Sequence, residues 1–141
     1  MSLRFGLIGL GKHGSNAVSP AFYDEVCTGG DLVAVCDISP AATGAFERPV
    51  EGKYNDHHTM LAEAGLDAVY IAAGMDHHYR LVTDSLRAGK HVIVEKPMAA
   101  TLGECREMID LAEASGLALA VNFETRYGEQ NDILRRWIRE G

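Results

Sequence analysis

Residues Gly6 to Gly14 read Gly-Leu-Ile-Gly-Leu-Gly-Lys-His-Gly. This stretch constrains the fold more than any other. The run from Leu3 to Ile8 is apolar enough for a buried strand, and it passes directly into Gly9-x-Gly11-x-x-Gly14 ahead of a helix. In such a strand–turn–helix the first Gly permits a tight turn and the second lets backbone approach a pyrophosphate. The third lets the helix pack against the strand. The helix that follows turns unpaired N–H groups and a positive dipole end toward the phosphates.

The rest of the chain repeats the alternation. A helix is predicted from about His13 to Val26, with a kink or late restart at Pro20 because proline lacks an amide hydrogen. Asp31 to Cys36 is a second apolar strand ending on Asp37. Ser39-Pro40 is a helix start, with Ser as N-cap and Pro in the first turn, for a short helix from Pro40 to Glu47. A brief strand is expected at Tyr54, and a helix capped by Asp56 runs through Met60 to Ala64. Asp67 to Ala72 is the fourth strand, followed by a helix with Asp76 as its cap that stops at Gly89. Lys90 to Val94 is the fifth. Thr101-Leu-Gly-Glu104 forms a capping box for a helix ending at Ser115-Gly116. Leu117 to Val121 is a last strand, and Asp132 to Arg139 a final amphipathic helix. Continuous apolar strands alternating with helices imply a parallel sheet covered on both faces, a doubly wound α/β domain of the Rossmann type.

Composition narrows the function. The 141 residues suffice for one domain with a real core and are too few for two. A net charge of −7 without a basic block argues against nucleic acid and anionic membranes as partners. No apolar run approaches the ~20 residues of a membrane span, and a core strand at the N-terminus leaves no room for a signal peptide. Cys27, Cys36 and Cys105 are scattered, with no C-x-x-C pair, as expected of thiols in a reducing cytoplasm. His57-His58 and His77-His78 invite a metal reading. Adjacent helical histidines are expected to diverge and neither pair has a partner at i+4, so no metal site is expected.

In open α/β sheets ligands bind beyond the carboxyl ends of the strands. Asp37 follows the second strand, 23 residues after Gly14. A carboxylate there accepts hydrogen bonds from a ribose diol and repels a 2′-phosphate, and no cation appears before Arg48; this favours NAD over NADP. Its plainer role is to cap the next turn. After the fourth strand, His77 or His78 faces the cleft. After the fifth comes Glu95-Lys96-Pro97, where a Lys would project toward the nicotinamide end and orient a hydroxyl or join a proton relay. From periodicity alone that segment is a charged strand end with a loop proline, where a cis Lys96–Pro97 bond is an option.

With these points in place the sequence resembles the Gfo/Idh/MocA family of nicotinamide-dependent oxidoreductases over essentially its whole length. The most specific element is Ala88-Gly-Lys-His-Val-Ile-Val-Glu-Lys-Pro97, similar to the family's A-G-K-H-V-hydrophobic-x-E-K-P signature. Val121 to Tyr127 is similar to a family segment ending in Arg and an aromatic, and Leu134 to Gly141 to the helix preceding a second domain. The resemblance implies that Gly9, Gly11, Lys12, His13 and Gly14 line the pyrophosphate and that Asp37 holds the adenosine ribose. His78 occupies the family's histidine, while Glu95 and Lys96 lie at the nicotinamide side with Lys96 catalytic. Where the family commonly has Thr-Pro-Asn, this chain has Ala73-Gly74-Met75, with Ala73 taken as cofactor wall.

It further implies a second α/β domain that supplies the substrate pocket and acid–base groups; residues 1–141 are thus read as the dinucleotide-binding domain of a longer protein. The expected activity of that parent, a homo-oligomer, is hydride transfer between the nicotinamide and a secondary alcohol of a sugar, cyclitol or related small molecule. This chain alone is expected to be inactive. The alternative is a non-catalytic NAD(H)-binding sensor or regulatory module.

Overall fold

The structure, a computed structural model, describes residues 2–24 and 27–141, with the side chains of residues 125, 127 and 129 outside the description. Six parallel strands form one sheet: β1 (Leu3–Ile8), β2 (Gly30–Cys36), β3 (Gly52–Tyr54), β4 (Ala68–Ile71), β5 (His91–Glu95) and β6 (Leu119–Asn122). Their order is β3-β2-β1-β4-β5-β6. Strand order reverses between β1 and β4, so the loops leaving these two strands part in opposite directions and open a crevice at the carboxyl edge.

The central strands β1, β2, β4 and β5 are mainly apolar because both faces are covered. Leu7, Leu32, Val35 and Ala68 pack on one side with Val18 and Phe46; Ile8, Val69, Ile71, Val92 and Val94 pack on the other with Met60, Leu81, Leu86 and Met108. Successive residues alternate between faces, as a pleated strand requires. β2 breaks the alternation once. The register with β1 slips between Phe5 and Gly6, and Val33 and Ala34 then share a face. This bulge restores the pairing that brings Cys36 opposite Ile8, where the cleft begins.

Helices α1 (Ser19–Tyr23), α2 (Pro40–Ala45), α3 (His57–Glu63), α4 (Met75–Arg87), α5 (Leu102–Ser115) and α6 (Glu129–Glu140) connect or follow the strands. Ser39 caps α2 through Ala42 N–H, Asp56 caps α3 through Thr59 N–H, and Thr101 with Glu104 forms the reciprocal box on α5. Two starts differ from expectation. The helix after the glycine turn is a π-helix over Gly14–Val18, with Ser19 N–H donating to Gly14 O, before α1 begins with Pro20 in its first turn. Widening the turn places the missing proline N–H where no intrahelical partner is needed. The expected helix end at Val26 lies outside the described residues. The second correction concerns Asp76: Gly74 is the N-cap of α4, and Asp76 sits inside the first turn, where its charge faces the dipole.

The amphipathic α6 extends beyond the predicted Asp132–Arg139 at both ends. Its Leu134, Trp137 and Ile138 are exposed. Among the described residues no helix is long and apolar enough to cross a membrane.

Candidate dinucleotide site

The carboxyl ends of β1, β2 and β4 open onto a cleft of about 510 Å³. Its walls include Gly9, Gly11, Asp37, Asn55, His57, Ala73 and His77. Three glycines shape the β1 side for separate reasons. Gly9 takes φ +97°, and a Cβ on it would lie 2.7 Å from the Ala72 carbonyl group. A Cβ on Gly14 would lie 2.0 Å from Gly9 O, so helix and strand exit touch backbone to backbone. A Cβ on Gly11 would meet nothing within 4 Å; the open space belongs to the cleft. Gly9 and Gly14 thus serve the protein's own packing. Gly11 leaves room for something else, as a backbone that must approach a pyrophosphate requires. Lys12 and His13 are exposed beside it.

Asp37 closes the second wall. Its Oδ2 accepts from Leu10 N–H at 2.8 Å and its Oδ1 from Ser39 N–H at 2.8 Å. Asn55 Nδ2 donates to Asp37 O at 2.8 Å. The carboxylate is therefore clamped between the glycine turn and the α2 turn. An ionised carboxylate has about four lone-pair sites; two remain for a diol. The capping role and the ligand role coexist in one side chain.

The far end is built differently. Glu95, 6 % exposed, is the hub. Its Oε1 accepts from Tyr70 Oη at 2.5 Å and Asn122 Nδ2 at 2.8 Å, and lies 3.0 Å from His13 Nε2. Burial pushes the Glu95 carboxyl up, but the hydrogen bonds from Tyr70, Asn122 and His13 together outweigh it and hold the group below the usual carboxylate range. Burial and the Glu95 carboxylate both push the Tyr70 hydroxyl up, so it remains a donor. Lys96 points the other way, half exposed, with Nζ 3.0 Å from Glu124 Oε1. Its hydrogen bond to Glu124 and the charge there raise it above the usual lysine range. The Lys96–Pro97 peptide is cis.

His78 does not line the cleft. It is 1 % exposed, with Nδ1 2.8 Å from Pro97 O and Nε2 3.0 Å from Ala73 O. One turn position decides this: at the start of α4, His77 faces the cleft and His78 faces the core. Its contribution to a cofactor site is to hold Ala73 and Pro97 in place. The expectation that adjacent histidines diverge holds for His77-His78 and fails at His57-His58. Their rings stack with centroids 4.0 Å apart, and both turn toward Asp84.

Tyr70, Asn122 and Glu124 were not among the residues singled out from sequence. Two carried a signal, as polar side chains on otherwise apolar strands: Tyr70 inside β4, and Asn122 at the end of β6 in register with Glu95.

The family model described as the Gfo/Idh/MocA oxidoreductase family, NAD-binding Rossmann fold, matches residues 3–123. The chain belongs to this family. Inositol 2-dehydrogenase of Salmonella paratyphi B is 30 % identical over 145 residues, covering 100 % of this chain and 43 % of the relative. Two solved structures superpose over 100 % of the chain. The WlbA dehydrogenase of Bordetella pertussis, in complex with NADH and UDP-GlcNAcA, has a TM-score of 0.90 at 27 % identity, with 43 % of its chain covered. A variant of KijD10, a 3-ketoreductase from Actinomadura kijaniata in complex with TDP-benzene and NADP, has a TM-score of 0.91 at 24 % identity, with 45 % covered. The last shares the fold. The chain therefore spans about two fifths of the length of these relatives, and its six-stranded domain is the family's NAD(P)-binding one.

Proposed function

We propose that this chain is the dinucleotide-binding domain of an NAD-dependent dehydrogenase acting on a secondary alcohol of a sugar, cyclitol or related small molecule. The observation that carries the reading is the open space at Gly11, on the cleft, between a clamped Asp37 and the β5 end that bears Lys96. Gly9, Gly11, Lys12, His13 and Gly14 cradle the pyrophosphate, and Asp37 offers its free lone pairs to the adenosine ribose. The negative charge of Asp37, with no cation between it and Arg48, disfavours a 2′-phosphate.

The bound nicotinamide supplies the hydride acceptor. The protein's own residues position and polarise. His78 fixes Ala73 and the Pro97 turn, and Glu95 fixes the strand end from which Lys96 projects. Like an ordinary lysine, Lys96 is protonated at neutral pH, and its hydrogen bond to Glu124 and the charge there raise it further. Lys96 therefore acts as a hydrogen-bond donor that orients the substrate hydroxyl and steadies negative charge developing on its oxygen. A protonated amine does not take the hydroxyl proton, so the base comes from outside these residues.

Calorimetric titration of the chain with NADH and NADPH tests the binding half. One NADH per chain is expected, tighter than NADPH; failure of both dinucleotides to bind refutes the reading. The chain alone turns over no polyol. In the full-length parent, Lys96→Ala should lower kcat at least about 100-fold while NADH affinity changes less than about threefold. Unchanged turnover there refutes the role given to Lys96, whereas a parent that binds NADH and oxidises no polyol is the sensor.

A further inference from the structure

We infer that His57, His58 and Asp84 form a binding site for one divalent transition-metal ion of the zinc class. The three side chains come from two elements. Asp56 fixes the start of α3 by accepting from both Thr59 N–H and Thr59 Oγ1 at 2.8 Å. His57 and His58 are the first two residues of that helix, and Asp84 reaches them from α4. His57 Nε2 lies 3.0 Å and His58 Nε2 3.6 Å from the same Oδ2 of Asp84. The three donor atoms all lie within 4.8 Å of one another.

Zinc takes imidazole nitrogen and carboxylate oxygen at about 2.0–2.2 Å, so tetrahedral donors sit roughly 3.4 Å apart. The set needs only small side-chain rotations to reach that spacing. Two imidazoles and one carboxylate suit zinc, cobalt or nickel better than calcium or magnesium, which prefer all-oxygen shells. Three protein ligands leave a coordination position for water.

The surroundings permit loading. His57 and Asp84 are mostly buried, with side-chain exposures of 11 % and 18 %, whereas His58 is 56 % exposed and gives the ion a way in. Arg80 Nε at 3.7 Å and Arg87 Nη1 at 3.9 Å also face Asp84. Both guanidinium groups are largely exposed and can swing into water when a cation takes the carboxylate; ion pairs of this kind contribute little. His57 and Arg80 also line the dinucleotide cleft, so the ion would pin α3 to α4 along that wall. The inference stands independently of which dinucleotide the cleft takes.

The test uses the whole chain, stripped with a chelator and then titrated with zinc chloride by calorimetry and with cobalt chloride by visible absorption. To exclude thiol binding, the chain carries Cys27→Ser and Cys105→Ser. Expected are one site per chain, a higher melting temperature with zinc, and a cobalt spectrum typical of nitrogen and oxygen ligation. His58→Ala removes an exposed ring that the fold does not need and should weaken zinc at least tenfold; Asp84→Asn should do the same. No saturable binding at one equivalent overturns the inference. So does zinc affinity that is unchanged in His58→Ala, even where Asp84→Asn disturbs the fold.

Discussion

The two ends of the cleft are made by different means. At the end proposed for the adenosine, the Asp37 carboxylate accepts from backbone N–H groups of Leu10 and Ser39, and the glycines pack backbone on backbone. Both donors to the Asp37 carboxylate lie on turns leaving β1 or β2. At the end proposed for the nicotinamide, side chains from β4, β6 and the glycine-turn helix converge on one carboxylate oxygen of Glu95 in β5. The first end tolerates changes in side chains because its donors are main chain. The second depends on each side chain present, because a buried carboxylate left with fewer donors bears its full desolvation cost.

The largest expected effect lies at the first end, where backbone contact leaves no slack. Gly14→Ala drives a methyl group against Gly9 O, and neither backbone can yield. It should cost about 3 kcal/mol and lower Tm by about 10 °C, with NADH binding abolished in calorimetry. Gly11→Ala is the control that separates fold from ligand. Its methyl group meets no protein atom, so Tm should move by no more than about 2 °C while NADH affinity drops at least tenfold. Equal loss of stability in both variants would erase the distinction between packing and ligand glycines.

At the second end, Glu95→Gln should cost about 2 kcal/mol at neutral pH, the scale of hydrogen bonds to a charged group. The pH dependence has a definite sign. The folded carboxyl is held below its ordinary value, so its stabilisation is complete above the usual carboxylate range. It is lost as pH falls through the lowered value. The Tm gap between wild type and Glu95→Gln should therefore be widest near pH 7 and shrink below about pH 4. A gap that widens with acidification would contradict the network. Tyr70→Phe removes one of the donors and should cost about 1 kcal/mol by chemical denaturation.

The smallest effect is chemical. Burial, with Asp56 and Asp37 nearby, pushes the Cys36 thiol up to about 12. In the native chain a thiol reagent should modify the partly exposed Cys27 and Cys105, and Cys36 only on unfolding. Rapid native labelling of Cys36 would show that the adenosine end opens more freely than its backbone clamps suggest.

The contrast also explains what could be read from the sequence. β1, β2, β4 and β5 were legible because both-face burial writes continuous apolar runs. The tight turn at Gly9 and Gly14 and the place of Gly11 and Asp37 on the cleft were legible because that wall is made within one β–turn–helix and the next strand end. The helix starts at Ser39, Asp56 and Thr101 followed from local hydrogen bonds over three residues. What escaped depends on register and rotamer. Asn122 meets Glu95 only because β6 pairs with β5 in one register. Which of His77 and His78 faces inward turns on a two-residue shift in helix start, from Asp76 to Gly74 as cap. The Asp84 partner of His57 and His58 is 27 and 26 residues away on another helix, beyond any local pattern.

The placement of His78 has a mechanical consequence. Its ring spans the loop after β4, at Ala73 O, and the turn after β5, at Pro97 O. Its two ring nitrogens lie on opposite sides, each within hydrogen-bond distance of one carbonyl. Two loops distant in sequence therefore travel as one rigid jaw. The opposite wall is built from shorter elements, with α2 of six residues and β3 of three. Amide hydrogens around residues 40–54 should exchange sooner than those flanking Ala73 and Pro97.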